Sequence, residues 1–350
     1  MYLRNAWYVA ASETDIGDGL YPTTLLSEPV VLYRKADGSL VALEDACPHR
    51  KLPLSMGRLD GDQVECGYHG LTFDGEGTCT RAPTSGKIPP KAKVHSYPVA
   101  VQYGLVWLWM GEPSLADAAN LCKVPEWGDP AWGLSHGASM TVPCNYLYMT
   151  DNLLDPSHVA WVHQSSFGNA ACASEPLTVT ETPDGVVVSR WMRNVEVAPF
   201  YAQFVTFEGP CDRLQHYEVQ YRCQAVIKAL FTPAGTGEHQ GPMHKDVFLM
   251  NSYNFMTPVN EHETRYYWFQ MRNFEPDNID VSRRFDADVQ HAFAEDRAVL
   301  GAVHAGMLNP RTAPINLPSD AGPIKFRREL AKRIAAQSAA PAETRLIAKV

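Results

Sequence analysis

Two short stretches carry the residues with the clearest chemistry. Cys47-Pro48-His49 is followed, after sixteen intervening residues, by Cys66-Gly67-Tyr68-His69, so each stretch offers one thiolate and one imidazole. A two-iron, two-sulfur cluster needs ligands from two loops that approach each other, because each iron takes its own pair. Two imidazoles in place of two thiolates on one iron leave that iron with neutral ligands and raise the reduction potential. Tetrahedral zinc also accepts two cysteines and two histidines. Zinc sites of that kind usually pair cysteine with cysteine and histidine with histidine, whereas here each stretch mixes them. The spacing therefore predicts a cluster held by Cys47, His49, Cys66 and His69. Gly67 and Gly70 permit close approach of backbone to its sulfurs.

A second constellation runs Asp151-Asn152-Leu153-Leu154-Asp155-Pro156-Ser157-His158 and on to His163. Two histidines five apart do not share one face of a regular helix, where the spacing is three or four. A helix here must loosen or end near His163 for both rings to meet one ion. Two histidines and one carboxylate would leave open positions on ferrous iron for dioxygen and substrate. Downstream, the apolar stripe Phe285, Val289, Phe293, Leu300, Val303 marks a helix over 281–307, and Asp296 falls on that stripe. A carboxylate on a buried face is costly unless paired or metal-bound, which makes Asp296 the expected third ligand. An ion pair with a core arginine is the rival reading. Glu295 and Arg297 fall beside the stripe and are expected to face solvent.

The elements that must position these residues divide the chain. Over the first third, short strands alternate with tight turns: 29–34 and 39–44 around Ala36-Asp37-Gly38, then 70–73 and 78–81 around Asp74-Gly75-Glu76-Gly77. Residues 100–110 (AVQYGLVWLWM) read as one aromatic and β-branched strand. The fold expected is α+β: an N-terminal all-β domain over 1–113, then a catalytic domain over 114–350. That second domain is read as an antiparallel sheet, formed by 178–231 and 247–273, flanked by helices. Helical periodicity covers 280–308 and 325–337, and 339–350 reads as frayed. In the sheet, Tyr253, Phe255, Tyr267 and Trp268 are candidates for the pocket, although alternation alone does not say which of them face inward. An arginine could receive a substrate carboxylate, with Arg190, Arg193, Arg222, Arg265 and Arg272 all open.

Composition bounds the partners. Thirty basic against thirty-nine acidic residues, net charge -9, argue against nucleic acid or an anionic membrane surface. A basic protein partner is compatible with that charge. The first eleven residues show no basic region followed by a long apolar stretch, and no apolar run is long enough to span a bilayer. The eight cysteines lack disulfide-scaffold spacing. A cytoplasmic location follows as an expectation.

Taken in order, the two constellations resemble the oxygenase component of Rieske non-haem iron oxygenases, over nearly the whole chain. Arg4-Asn5-Ala6-Trp7-Tyr8-Val9-Ala10, the Cys-Pro-His and Cys-x-x-His loops, and Asn152-Leu153-Leu154-Asp155-x-x-His158 are similar to the vanillate O-demethylase branch. Tyr266-Tyr267-Trp268 leading to Arg272-Asn273-Phe274, and Glu295-Asp296-Arg297, fit the same group. The resemblance implies one Rieske 2Fe–2S cluster and one mononuclear Fe(II). A flavin/iron–sulfur reductase or ferredoxin would bring electrons from NADH or NADPH, and O2 would attack a small aromatic substrate. It also implies a homotrimer, in which His69 of one subunit reaches Asp155 and His158 of the next, with Asp155 a bridge rather than a ligand. Asn152 would sit close to the iron. The implied reaction is hydroxylation of an aryl methyl or methoxy group, most directly O-demethylation with formaldehyde release. Ring cis-dihydroxylation, methyl hydroxylation of an aryl sulfonate, and a cluster-only electron carrier are the alternatives.

Overall fold

A computed structural model describes residues 1–237, 244–309 and 311–339. The chain folds into two compact units: Met1–Leu121 with Thr257–Asn260, and the remainder. The break falls at Leu121 rather than Pro113. Residues 114–121 are tied back to the first unit, where Trp7 Nε1 donates to the Asp117 carbonyl at 2.9 Å.

The first unit contains eleven strands in three small antiparallel sheets and, among the described residues, no α-helix. In chain order these are β1 (Trp7–Ser12), β2 (Tyr21–Leu25), β3 (Glu28–Arg34), β4 (Leu40–Glu44), β5 (Arg58–Asp60), β6 (Gln63–Glu65), β7 (Thr72–Phe73), β8 (Cys79–Arg81), β9 (Ser96–Tyr97), β10 (Val99–Gln102) and β11 (Leu105–Trp109). The sheets run β1-β11-β10, β2-β3-β4-β9 and β5-β6-β7-β8. Stretch 100–110, expected as one strand, is a hairpin: Gln102 pairs with Leu105 across a two-residue turn. Tyr103 (φ 61) and Gly104 (φ 70) both take left-handed conformations, the geometry that twists a two-residue turn to match its strands. A core of Val31, Tyr33, Leu43, Leu54, Val64 and Phe73 packs behind the cysteine-bearing loops.

The second unit is built on a seven-stranded antiparallel sheet. Its elements are β12 (Gly133–Val142), α1 (Tyr146–Leu154), α2 (Val159–Val162), α3 (Ala171–Ser174), β13 (Thr178–Glu181), β14 (Gly185–Val195), β15 (Cys211–Gln220), β16 (Gln224–Pro233), β17 (Phe248–Asn260), β18 (Glu263–Arg272), α4 (Ile279–Met307) and α5 (Ala321–Ala339). The sheet order is β12-β18-β17-β16-β15-β14-β13. Strand β15 alternates buried and half-buried residues, while β17 and β18 are buried almost throughout. Alternation marks a strand with one covered face, and continuous burial a strand covered on both. Except for Ala339, the last residue of α5, the stretch read as frayed lies outside the described residues.

Helix α4 is set against the sheet by specific contacts. Asn278 caps its start, its side-chain oxygen accepting from the Asp280 and Val281 N–H groups at 3.1 and 3.2 Å, an arrangement that satisfies donors a helix leaves open. Phe285, Val289, Ala292 and Leu300 are buried along one stripe, whereas Val303, expected on that stripe, is 40% exposed. A bulge in β12 supplies a further anchor: the register shifts between Ser135 and Ala138, and the Gly137 N–H reaches Asp286 of α4 at 3.2 Å. Gly137 sits at φ +67, and a Cβ there would fall 1.9 Å from the Trp268 carbonyl oxygen, so only glycine fits.

Candidate metal centres

The two loops of the first unit have the same internal wiring. The Cys47 N–H donates to Leu52 O at 2.9 Å, and Lys51 N–H returns to Cys47 O at 2.8 Å. In the second loop, Cys66 N–H donates to Leu71 O at 2.8 Å, and Gly70 N–H returns to Cys66 O at 3.1 Å. The fifth residue of each loop is left-handed, Lys51 at φ 58 and Gly70 at φ 71. Cys47 and Cys66 are buried, and burial pushes the Cys47 thiol up to about 11, with the Cys66 thiol beside it adding to the rise. His49 and His69 lie outward, their ring centroids 4.4 Å apart and the planes inclined by 65°. Gly67 lets the second loop lie close to the first unit's backbone, since a Cβ there would sit 2.8 Å from Met56 O. Two thiols inside and two imidazoles outside form a cradle with a soft, buried end and a neutral, accessible end.

In the second unit the chain breaks between α1 and α2, at Asp155-Pro156-Ser157, and the two histidines flank the short α2. Helix α2 ends at Val162, and His163 leaves helical geometry at φ -110 and ψ 36, which lets a spacing of five serve one point. Ligand atoms of His158, His163 and Asp296 all lie within 4.8 Å of one another. His158 Nε2 is 3.7 Å and His163 Nε2 3.2 Å from Asp296 Oδ1. Each ring is tied back through its other nitrogen: His158 Nδ1–H donates to the Asp155 carbonyl at 2.5 Å, and His163 Nδ1–H to Glu295 Oε2 at 2.8 Å. Such acceptors fix the tautomer and leave both Nε2 lone pairs for a ligand role.

Electrostatics divide the two rings. Burial lowers the His158 pKa and outweighs the pull of Asp296. At His163 burial works the same way, but Asp296 and Glu295 together overcome it and hold the ring above its ordinary value. Asp296 itself has no arginine partner among the described residues; Asn152 Nδ2 donates to its Oδ1 at 3.0 Å. The other amide atom, Asn152 Oδ1, is buried with no hydrogen-bond donor among the described residues. Asp155 uses its carboxylate Oδ1 to accept the Ser157 N–H at 3.0 Å, so within this chain its contact to His158 is made by the main chain.

Other expectations are revised by position. Glu295, expected to face solvent, is instead the acceptor that orients His163; one residue from the stripe, it lies at the edge of the covered face, which periodicity alone does not resolve. Arg297 is exposed and donates to Thr141 O. Tyr253 stacks on Phe269 at 5.2 Å and donates to Glu126, while Phe255 also meets Phe269. Tyr267 shares a face with Phe269, being two residues away on β18. Tyr266 and Trp268, on the opposite face, meet Phe293 of α4 at 5.2 and 5.0 Å. Of the four aromatic candidates, then, Trp268 is on the helix-facing side, together with Tyr266, which was not among them. Among the candidate arginines, Arg193 pairs with Asp212 and Arg222 with Asp184. Arg272 is spent on Ser135 Oγ and the Glu275 and Asn278 carbonyls, and Arg265 lies opposite Thr141 in the sheet.

Comparison with known proteins adds the family. Residues 142–336 match the vanillate O-demethylase oxygenase C-terminal domain, more than half of the chain. The chain belongs to the vanillate O-demethylase oxygenase family. Residues 6–98 match the Rieske 2Fe-2S domain. Similar proteins include the iron–sulfur subunit of the toluene-4-sulfonate monooxygenase system of Comamonas testosteroni, 36% identical over 92% of this chain and 94% of that one. The vanillate O-demethylase oxygenase subunit of a Pseudomonas species is 32% identical over 100% and 99% of the two chains. Among solved structures, dicamba monooxygenase bound to 3,6-dichlorosalicylic acid superposes with a TM-score of 0.85 at 29% identity, covering 97% of this chain and 99% of that one. This member of the vanillate O-demethylase oxygenase family is thus the oxygenase component of a Rieske non-haem iron monooxygenase, working with a Rieske cluster and a mononuclear iron. Among the described residues no helix is long and apolar enough to cross a membrane.

The donor sets suit those two groups. Buried thiols paired with accessible imidazoles match a cluster whose two irons differ in ligand type. Two Nε2 atoms and one carboxylate oxygen match a ferrous site that keeps positions open. Asn152 Oδ1, beside Asp296, is a buried polar atom without a partner among the described residues, which suits it to a polar group brought into the site.

Proposed function

We propose that the chain hydroxylates an aryl methyl or methoxy group, and that on a methoxylated aromatic acid it releases formaldehyde and a phenol. One oxygen atom of O2 enters the C–H bond and the other leaves as water, using two electrons and two protons supplied through a flavin/iron–sulfur reductase or ferredoxin from NADH or NADPH. On a methoxy carbon the product is a hemiacetal, which collapses to phenol and formaldehyde without a further catalyst. The observation that carries this reading is the convergence of His158, His163 and Asp296 within 4.8 Å, with both Nδ1 atoms already engaged elsewhere.

In this reading Cys47, His49, Cys66 and His69 hold the cluster, and His158, His163 and Asp296 hold the iron. When bound, the cluster supplies electrons singly and the iron the site of dioxygen reduction. The chain's own residues do the rest. The Asp155 carbonyl and the Glu295 carboxylate fix the two rings. Asn152 steadies Asp296 through Nδ2. Asp155 directs a carboxylate oxygen toward a neighbouring subunit's His69 in a homotrimer, and a cytoplasmic setting keeps the thiols reduced. Phe167, whose ring lies 5.8 Å from that of His163, begins an aromatic wall that excludes water from the site.

A second reading, hydroxylation of the methyl group of an aryl sulfonate, is favoured by the 36% identity to the toluene-4-sulfonate protein. One experiment separates these: the purified oxygenase with a generic reductase, NADH and a panel of methoxybenzoates, methylbenzenesulfonates and unsubstituted arenes. Formaldehyde is the expected product. Benzylic alcohol from the sulfonates alone would select the second reading, and a cis-diol from the arenes would overturn both.

A further inference from the structure

Two arginines on the helix-facing side of the sheet are buried without a counter-ion. Arg190 on β14 and Arg213 on β15 are 4% and 1% exposed. Their places follow from register: Arg190 opposes Gln215, and Met192 opposes Arg213, which in turn opposes Phe231. Neither has a carboxylate within ion-pair distance among the described residues, in contrast to Arg193, Arg222 and Arg327. Each guanidinium nitrogen of Arg190 has a neutral acceptor: Gln215 Oε1 at 2.8 Å, Glu175 O at 3.2 Å and Pro156 O at 3.0 Å. Burial lowers its pKa.

Arg213 is not saturated. Nη2 donates to Phe167 O at 2.9 Å, Nη1 meets the Cys172 thiol at 3.5 Å, a weak acceptor, and the Tyr201 hydroxyl lies within hydrogen-bonding reach of the guanidinium. Among the described residues its buried Nε has no acceptor, and the buried hydroxyl of Ser166, the residue before Phe167, has no partner. The guanidinium carbon lies 5.3 Å above the Tyr201 ring and 5.0 Å above that of Phe231. Contacts run from there to the metal-binding side chains, since Tyr201 meets Phe167 at 5.8 Å and Phe167 meets His163 at 5.8 Å. A buried cation with an unused donor is costly as a purely structural element, whereas an arriving anion would complete both its charge and its hydrogen bonds.

We propose that Arg213, reinforced by the charge of Arg190, is the receptor for an oxyanion on the substrate's aromatic ring. The Nε edge accepts a carboxylate or sulfonate, the ring lies against the aromatic wall, and the methyl-bearing end is directed toward His158, His163 and Asp296. The substrate class is therefore an aromatic acid rather than a neutral arene. This inference rests on the reading of the site given above, and it assigns Arg213 to specificity and positioning, not to the chemistry.

Binding of unreactive ligands tests it apart from turnover. Benzoate, benzenesulfonate and benzamide are titrated calorimetrically into the purified holoenzyme. The wild type binds one or both acids at least ~30-fold more tightly than the amide, and the preferred acid identifies the oxyanion. In Arg213→Met the acids weaken by ~100-fold while the amide stays within ~3-fold, and Arg213→Lys lies between. Absence of acid preference in the wild type overturns the inference whether or not a variant folds. So does an Arg213→Met protein that keeps the preference, or that loses amide and acid binding equally. A wild type that binds acids selectively yet forms neither formaldehyde nor benzylic alcohol would refute the proposed reaction and leave the receptor standing.

Discussion

In the first unit, four metal-binding candidates come from two loops that each close on their own hydrogen bonds, Cys47 with Leu52 and Lys51, Cys66 with Leu71 and Gly70. In the second, three candidates come from segments far apart in sequence, and each is oriented by another residue: His158 by Asp155, His163 by Glu295, Asp296 by Asn152. The loops carry their geometry locally. The histidine–aspartate site depends instead on the break between α1 and α2 and on the seating of α4 against β12. Local geometry tolerates change elsewhere in the chain, while assembled geometry spreads sensitivity over residues that never touch the ion.

The largest expected effect is a pair of selective losses. His158→Ala should abolish turnover and mononuclear iron while the cluster's visible spectrum persists; Cys66→Ser should remove the cluster and leave iron at the other site. Metal analysis with absorption spectroscopy checks both, and joint loss in either variant would mean that the two regions are not separable. Next comes Glu295→Ala, which unties His163 without removing a ligand. Iron affinity or turnover should fall by ~10–100-fold, read by competitive chelation. An unchanged affinity would show that the second region is as self-sufficient as the first.

Asp155→Asn is subtler. It keeps the main-chain acceptor for His158, so both metals should stay bound while reoxidation of the reduced cluster slows in stopped-flow measurements. Wild-type reoxidation would overturn the proposed bridging role of Asp155. The smallest effects test the two loops against each other. Gly70→Ala places a Cβ 2.8 Å from Pro83 Cγ at φ +71 and should cost about 1–3 kcal/mol. For Lys51→Gly, relief of about 1 kcal/mol of left-handed strain exceeds the worth of the exposed ion pair to Glu44. Its unfolding midpoint should hold or rise slightly. A clear loss of stability in Lys51→Gly, or none in Gly70→Ala, would show that the loops differ beneath their shared pattern.

This contrast also explains what the sequence discloses. Cys47, His49, Cys66 and His69 are readable because chemistry, spacing and turn glycines coincide within short windows. Asp296 is readable because a carboxylate on an apolar stripe is physically anomalous. Glu295 is not, because a residue at the edge of a helical stripe looks solvent-facing until the other helix is placed. The hairpin at Tyr103-Gly104 is hidden for a different reason: tyrosine rarely takes a left-handed conformation, so the turn does not announce itself. Arg213 escapes for a third, since an arginine in an alternating strand looks surface-exposed until the strand's inner face is known.

The five-residue step from His158 to His163, across α2 and out of it, limits how such a chain can diverge. Helical spacing tolerates gradual substitution, because neighbouring turns keep a face aligned. A step framed by an interruption does not tolerate a change of length: losing or gaining one residue between His158 and His163 would rotate one ring away from Asp296. A variant of this chain that keeps the site and changes its specificity is therefore expected to carry substitutions around that fixed step, with any insertion placed in connections outside it.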